Sequence, residues 1–322
     1  MITATAILAV SSVAAMAQTK ELTVAYFLEW PMPFQYAKAK GIYEKELGVK
    51  INWRSFDTGT AMSAAMASGD VQISVSQGVP PFVVATSAGQ DLQIVDVAVS
   101  YSENDNCVVR SALEVDKGNA KELEGKKVGV PIGTAAHYGF LKQMAHFKVD
   151  TSKMTIVDMA PPDGAAAIAQ GNIDMVCGWG GALRRMKQHG NVLLTGAEKE
   201  ELGIQVFDVT SVSASFAKEQ PELLAKFLKV TADMNAKYKS DAAEMLPFIA
   251  KDAGMKEDAA KATLAGFAFP SRDEQLGAKW LGGGTQKFLK EVADFFVEQK
   301  QVKSARDSYD GAVNAAPLKA AK

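Results

Sequence analysis

Strands and helices alternate along this chain at a spacing that leaves few architectures open. ELTVAYFL (21–28), VKINWRSF (49–56), VQISVS (71–76) and QIVDVAVSY (93–101) read as strands, short and rich in β-branched and aromatic residues. Helical segments lie between them. QYAKAKGIYEKEL (35–47) ends at Gly48, DTGTAMSAAMASGD (57–70) begins at a capping Asp57 or Thr58, and Gln77-Gly78-Val79-Pro80-Pro81 opens a third. Strands joined through helices return parallel to one another, so the pattern predicts βαβ units and a mostly parallel sheet.

A comparable order then begins afresh. CVVRS (107–111), KKVGVPI (126–132), MTIVDM (154–159) and MVCGW (175–179) read as strands. GTAAHYGFLKQMAHF (133–147) and DGAAAIAQGNID (163–174) read as helices, the second stopped by Gly171. Two segments share a plan: AMSAAMASGDVQISVS and AAAIAQGNIDMVCGW each run from a small-residue helix through Gly to a short apolar strand. This weak likeness suggests two α/β domains. From Lys218 the pattern is helical, through PELLAKFLKVTADMNAKYK, AAEMLPFIAKDAG, KEDAAKATLAGF and KWLGGGTQKFLKEVADFFVEQKQV (279–302). Trp280, Phe288, Phe295 and Phe296 recur at helical spacing and are expected in the core, whereas the tail APLKAAK is expected to be disordered.

With 322 residues, 48% hydrophobic, the chain has apolar material for two cores. Its net charge of -2 provides no basic field for nucleic acid or anionic membranes. The first seventeen residues, MITATAILAVSSVAAMA, form an apolar block ending in an A-x-A site, which predicts a secretory signal cleaved after Ala17. The run is shorter than the ~20 residues that span a bilayer. No Lys or Arg precedes it, and no lipid-attachment Cys follows the cleavage site, so the product is expected to be exported, soluble and untethered. Export permits Cys107 and Cys177 to pair without demanding it; two buried free thiols are the expectation.

The motifs of common catalysis are missing. There is no Walker A sequence, no G-x-S-x-G, C-x-x-C or H-E-x-x-H, and His137, His146 and His189 lack zinc-ligand spacing. GWGGAL (178–183) lacks the third glycine of a dinucleotide fingerprint. The chain reads as a binder rather than an enzyme, with no cofactor and no metal.

TVAYFLEWP, WRSFDTGTAMSAAMASGDVQIS, LEGKKVGVPIGTAAHYGFLK, VDMAPPDGAAAIAQGNIDMVCGW and FDVTSVSASFAKEQPELLAKFL together resemble the substrate-binding proteins of taurine ABC importers. They are similar, more widely, to those for aliphatic sulfonates, nitrate and related small anions. Glu29-Trp30-Pro31 and Asn104–Cys107 depart from the taurine branch. The resemblance implies a two-lobed periplasmic-binding-protein fold of type II, α/β, each lobe a mixed sheet flanked by helices, with a two-segment hinge and the ligand between the lobes. The chain would cross near Asn104–Cys107 and return near Phe207–Thr210. One lobe would then comprise residues 18–106 and 210–322, the other 107–209. The implied protein is a periplasmic monomer that passes taurine to an ABC permease. 2-Aminoethylphosphonate or another alkanesulfonate is the alternative ligand. An exported enzyme on the same fold, such as one of thiamine-precursor synthesis, is the lesser alternative.

The residues suit a sulfonate zwitterion. Helix N-termini present unpaired N–H groups and a partial positive charge, and two are expected at the cleft, at Gln77-Gly78 and Gly133-Thr134. The Gln77 amide, the Thr134 hydroxyl and the His137 N–H would add neutral donors, although Thr134 also reads as an ordinary N-cap and His137 as a core histidine. An ammonium needs a carboxylate: Asp208, within the apolar strand IQVFDVTSV, is the first candidate and Glu29 the second. Trp30 and Trp179 follow strands and could wall the ammonium by cation–π contact, with Phe269 as a weaker third. A phosphonate would favour a Lys or Arg in the cleft, and the matched positions provide none.

Overall fold

The computed structural model describes residues 20–322; the expected signal segment, residues 1–17, and its cleavage site lie outside the described residues. The strands in chain order are β1 Glu21–Phe27, β2 Lys50–Phe56, β3 Ile73–Gly78, β4 Leu92–Tyr101, β5 Asp105–Arg110, β6 Lys127–Val130, β7 Thr155–Asp158, β8 Met175–Trp179, β9 Gly190–Asn191, β10 Phe207–Ser213 and β11 Phe267–Ala268. They form a six-stranded sheet, ordered β11-β4-β10-β3-β1-β2, and a five-stranded sheet, ordered β7-β6-β8-β5-β9.

The two sheets follow one plan. β1 is parallel to β2 and β3, just as β6 is parallel to β7 and β8. One antiparallel strand is then inserted in each: β10 between β3 and β4, and β5 between β8 and β9. In both sheets that strand is the first one after the chain has crossed from the other sheet. β3 and β8 hold equivalent places, and the helices Gly59–Ala67 and Pro161–Ala169 precede them. The weak internal likeness of the sequence therefore marks matched positions in two similar lobes. β4 is buried along almost its whole length and correspondingly reads as a nearly continuous apolar run.

Four expectations are corrected. Residues 35–47 form two helices, Phe34–Ala39 and Ile42–Leu47, because Gly41 takes a left-handed φ of 64° and breaks the ladder. The last long helix is only Gly284–Glu298, since Gly282 and Gly283 belong to the turn before it. The tail is ordered: Ala316–Ala320 is helical, Pro317 and Leu318 are buried, and the Asn314 N–H bonds to the Ile94 carbonyl at 2.8 Å. Cys107 and Cys177 are joined in a disulfide, not free; they lie directly opposite each other in the β5–β8 ladder. Their partnership depends on a register between strands 70 residues apart, which local sequence does not encode. Trp280, Phe288 and Phe296 are buried, and Phe295 partly so.

Candidate ligand-binding site

The carboxyl ends of β1, β3, β6 and β8 converge on the gap between the sheets, where ligands bind in open α/β architectures. A cavity lies there. Two acids line it. Asp208, near the start of β10, is 3% exposed; its Oδ2 accepts the Ser76 hydroxyl at 2.7 Å and its Oδ1 accepts the Tyr101 hydroxyl at 2.6 Å. Burial pushes Asp208 up to about 7 against the pull of the Tyr101 and Ser76 hydrogen bonds, and the neighbouring charge of Asp105 adds to the rise. Asp105, the first residue of β5, also lines the cavity and is pushed up to about 6 by burial, with Lys199 opposing.

Aromatic rings surround these carboxylates. Trp30 stands edge-on to Tyr101 at 4.9 Å, and its indole N–H donates to Ser76 Oγ at 2.9 Å. Phe27 and Trp179, from β1 and β8, meet across the gap at 5.8 Å. Ser76 holds a left-handed φ of 61° at an irregularity in the β3–β10 pairing. That strained backbone aims its hydroxyl at Asp208.

Two helix N-termini face the same space. Thr134 caps Ala135–Phe147 and Thr58 caps Gly59–Ala67, and Gly59, Thr134 and Ala135 line the cavity. The amides of Gly59, Thr60, Ala135 and Ala136 lack intrahelical acceptors by position. The expected N-terminus at Gln77-Gly78 is less suited, because Pro80 and Pro81 remove two of its donors.

The structure brings Trp30, Thr134, Trp179 and Asp208 together and leaves four other expected residues outside the cavity lining. Gln77 is fully buried: its amide nitrogen donates to the Gly59 carbonyl and Ser63, and its oxygen accepts from Ser211. It shapes the Gly59 turn instead of offering a free donor. His137 accepts the Gly133 N–H at Nδ1, 3.1 Å away, and packs against Phe296; burial lowers it to about 4, so the ring is neutral. Phe269 packs on Tyr238 and Phe267, in a separate surface depression. Glu29 pairs with Arg185 outside the cavity. Thr134 lines the site, but its hydroxyl hydrogen goes to the Pro131 carbonyl at 2.6 Å, so its part there is that of an N-cap. Sequence reasoning passed over Asp105, Tyr101 and Phe27. The acid at the expected crossover, flanked by Asn104 and Asn106 ahead of an apolar strand, was the available signal for Asp105.

The lobes are drawn together around the cavity. The Gly181 N–H donates to the Glu29 carbonyl at 3.0 Å. The Glu29–Arg185 ion pair spans the same seam. Among the described residues no helix is long and apolar enough to cross a membrane, and no group of three or more His, Cys, Asp or Glu could hold a metal ion.

Comparison with known proteins agrees with this fold. The chain is 28% identical over 311 residues to the taurine-binding periplasmic protein of Escherichia coli (strain K12), covering 95% of each chain. Its fold matches the alkanesulfonate-binding protein SsuA from Xanthomonas axonopodis pv. citri bound to MOPS, with a TM-score of 0.76 at 20% identity over 92% of this chain and 99% of that one. The desulfurization enzyme DSZB shares the fold at a TM-score of 0.64 and 12% identity, over 94% of this chain and 98% of that one. A profile described as NMT1/THI5 like matches residues 31–238, more than half the chain, a span that includes Trp30's successor strands, both crossovers and the acids of the cavity: the chain belongs to the NMT1/THI5-like family.

Proposed function

We propose that this chain is the periplasmic substrate-binding protein of an ABC importer for a small aminosulfonate, with taurine as the ligand. The carrying observation is the set of groups that lines the cavity. It combines two carboxylates and aromatic faces with two helix N-termini, and it holds no Lys or Arg. An ammonium on Asp208, walled by Trp30 and Trp179, gains charge-assisted hydrogen bonds and cation–π attraction. A sulfonate carries one negative charge, which the amides of Gly59, Thr60, Ala135 and Ala136 can take without a counter-ion. A phosphonate's second charge finds no cation in the lining, so 2-aminoethylphosphonate ranks below taurine.

Ligand touching both lobes favours the closed state, and a permease can recognise that state. No bond is made or broken. We assign residues 18–106 and 210–322 to one lobe and 107–209 to the other, with export directed by residues 1–17 and the mature chain acting as a monomer. The names of the relatives support a binding rather than a catalytic role.

The test is calorimetric titration of the mature chain, refolded to remove carried ligand, with taurine and then 2-aminoethylphosphonate. Tight taurine binding that is lost in Asp208→Ala supports the reading. Binding of the phosphonate with no heat from taurine overturns the ligand while keeping the class.

A further inference from the structure

We propose that Asp105 is a second ammonium acceptor, facing Asp208 from the other side of the cleft, and that the two carboxylates together make the cavity selective for a primary ammonium group. This rests on the reading of the chain as an aminosulfonate binder and extends it to a specificity that reading does not contain.

Asp105 opens β5 in the five-stranded sheet, opposite Trp179, whereas Asp208 lies on β10 in the six-stranded sheet. Both line one cavity. Asp105 is 2% exposed, and its fully buried Oδ2 has no hydrogen-bond partner. A buried carboxylate oxygen without a donor is costly, so its place in a cavity wall calls for a donor from whatever occupies the cavity. The nearby cation does not satisfy it. Lys199, itself buried, donates to the backbone carbonyl of Asp105, and leaves the carboxylate oxygens open. It offsets part of the charge while holding the residue in place.

The hydrogen-bond count matches a primary amine. Each oxygen of Asp208 already accepts one hydroxyl hydrogen and keeps one acceptor position, while Asp105 Oδ2 keeps all of its capacity. A –NH₃⁺ group has three N–H donors and can serve both residues at once. Each N-methyl group removes one donor and adds bulk between the acids. A quaternary ammonium has no donor, and would leave both carboxylates buried and unpaired. Trp30 and Trp179 attract any ammonium, methylated or not, so the discrimination comes from the carboxylate pair rather than the rings. Because the acids belong to different sheets, the ammonium also bridges the lobes.

The test titrates the mature chain and its Asp105→Asn variant with taurine and its N-methyl, N,N-dimethyl and N,N,N-trimethyl derivatives. The wild type should lose affinity at each methylation, and Asp105→Asn should weaken taurine by about 10- to 100-fold while narrowing the taurine-to-trimethyl ratio. The inference is overturned if the wild type binds taurine and its trimethyl derivative equally, a result that needs no variant to fold. It is also overturned if Asp105→Asn, folded by its melting transition, keeps both affinity and ratio. Should no member of the series bind the wild type, the aminosulfonate reading falls and this inference with it. Binding of taurine without methyl discrimination defeats the inference alone.

Discussion

The Ser76 hydroxyl donates to Asp208 Oδ2 at 2.7 Å from a residue whose backbone is held at a φ of 61°. Ser76 Oγ in turn accepts the indole N–H of Trp30 at 2.9 Å, so one small side chain orients both an acid and an aromatic wall of the cavity. Ser76→Ala removes both contacts and leaves a buried carboxylate short of a donor. The expected cost is about 1–3 kcal/mol of stability, together with weaker taurine binding. Chemical denaturation and calorimetry on the same preparation check the two effects; an unchanged affinity would show that Ser76 has no part in the site.

The acids predict a pH dependence. Burial raises Asp208 to about 7 and Asp105 to about 6 from an ordinary value of 3.8. An ammonium beside them favours their ionised forms, so taurine binding lowers both values and expels protons. Affinity should therefore rise from about pH 5 to about pH 8 and level off above Asp208's value. Titration near pH 6.5 in buffers of different ionisation enthalpy should reveal the released proton. For the ligand-free chain the sign is opposite. Carboxyls raised on folding contribute stability that is complete below their unfolded value and lost as pH climbs through about 6 to 7. The ligand-free melting temperature should fall across that window, and Asp208→Asn should flatten the slope.

Closure of the lobes should depend on Gly180. It has a left-handed φ of 56°, and a Cβ there would run into the Glu29 carbonyl oxygen and the Trp30 ring across the seam. Gly180→Ala should leave the open protein folded but hinder closure, with taurine affinity falling by about 100-fold, or roughly 3 kcal/mol. Small-angle scattering should show that taurine no longer compacts the variant. Compaction equal to wild type would contradict this account.

The Glu29–Arg185 pair across the same seam should matter far less. Both side chains are partly exposed, so Arg185→Ala is expected to cost about 0–1 kcal/mol, seen as faster taurine release in stopped-flow fluorescence. The difference from wild type should shrink at high salt.

The disulfide ties β5 to β8, the strands that begin with Asp105 and end with Trp179. Replacing Cys107 and Cys177 together with Ser should lower stability by about 2–4 kcal/mol in denaturant titration. Taurine affinity should fall as well, because two cavity residues lose a common anchor.

The local signals that marked the architecture were strong because they repeat with short periods. Alternating βαβ segments, the caps at Thr58 and Thr134 and the stops at Gly48 and Gly171 all act within a few residues of themselves, whereas the Gly41 break went unread. Asp208 could be singled out because an acid within an apolar strand is costly wherever that strand packs. Trp30 and Trp179 could be singled out because the ends of parallel strands face the ligand side of such folds.

What the sequence alone determined, then, was the order of elements, the two-lobed plan and a short list of residues with site chemistry. Tertiary structure decided which of them meet. Gln77 and His137 have the right groups, but the Gln77 amide is taken up by Gly59, Ser63 and Ser211, and His137 lies outside the cavity lining with its Nδ1 on the Gly133 N–H. Asp105 joins Asp208, and Cys107 meets Cys177, only through strand registers that bring together residues far apart in the chain. A side chain's chemistry is local, whereas its unsatisfied capacity depends on every neighbour the fold supplies. Only the packed lobes reveal which donors and acceptors remain for a ligand.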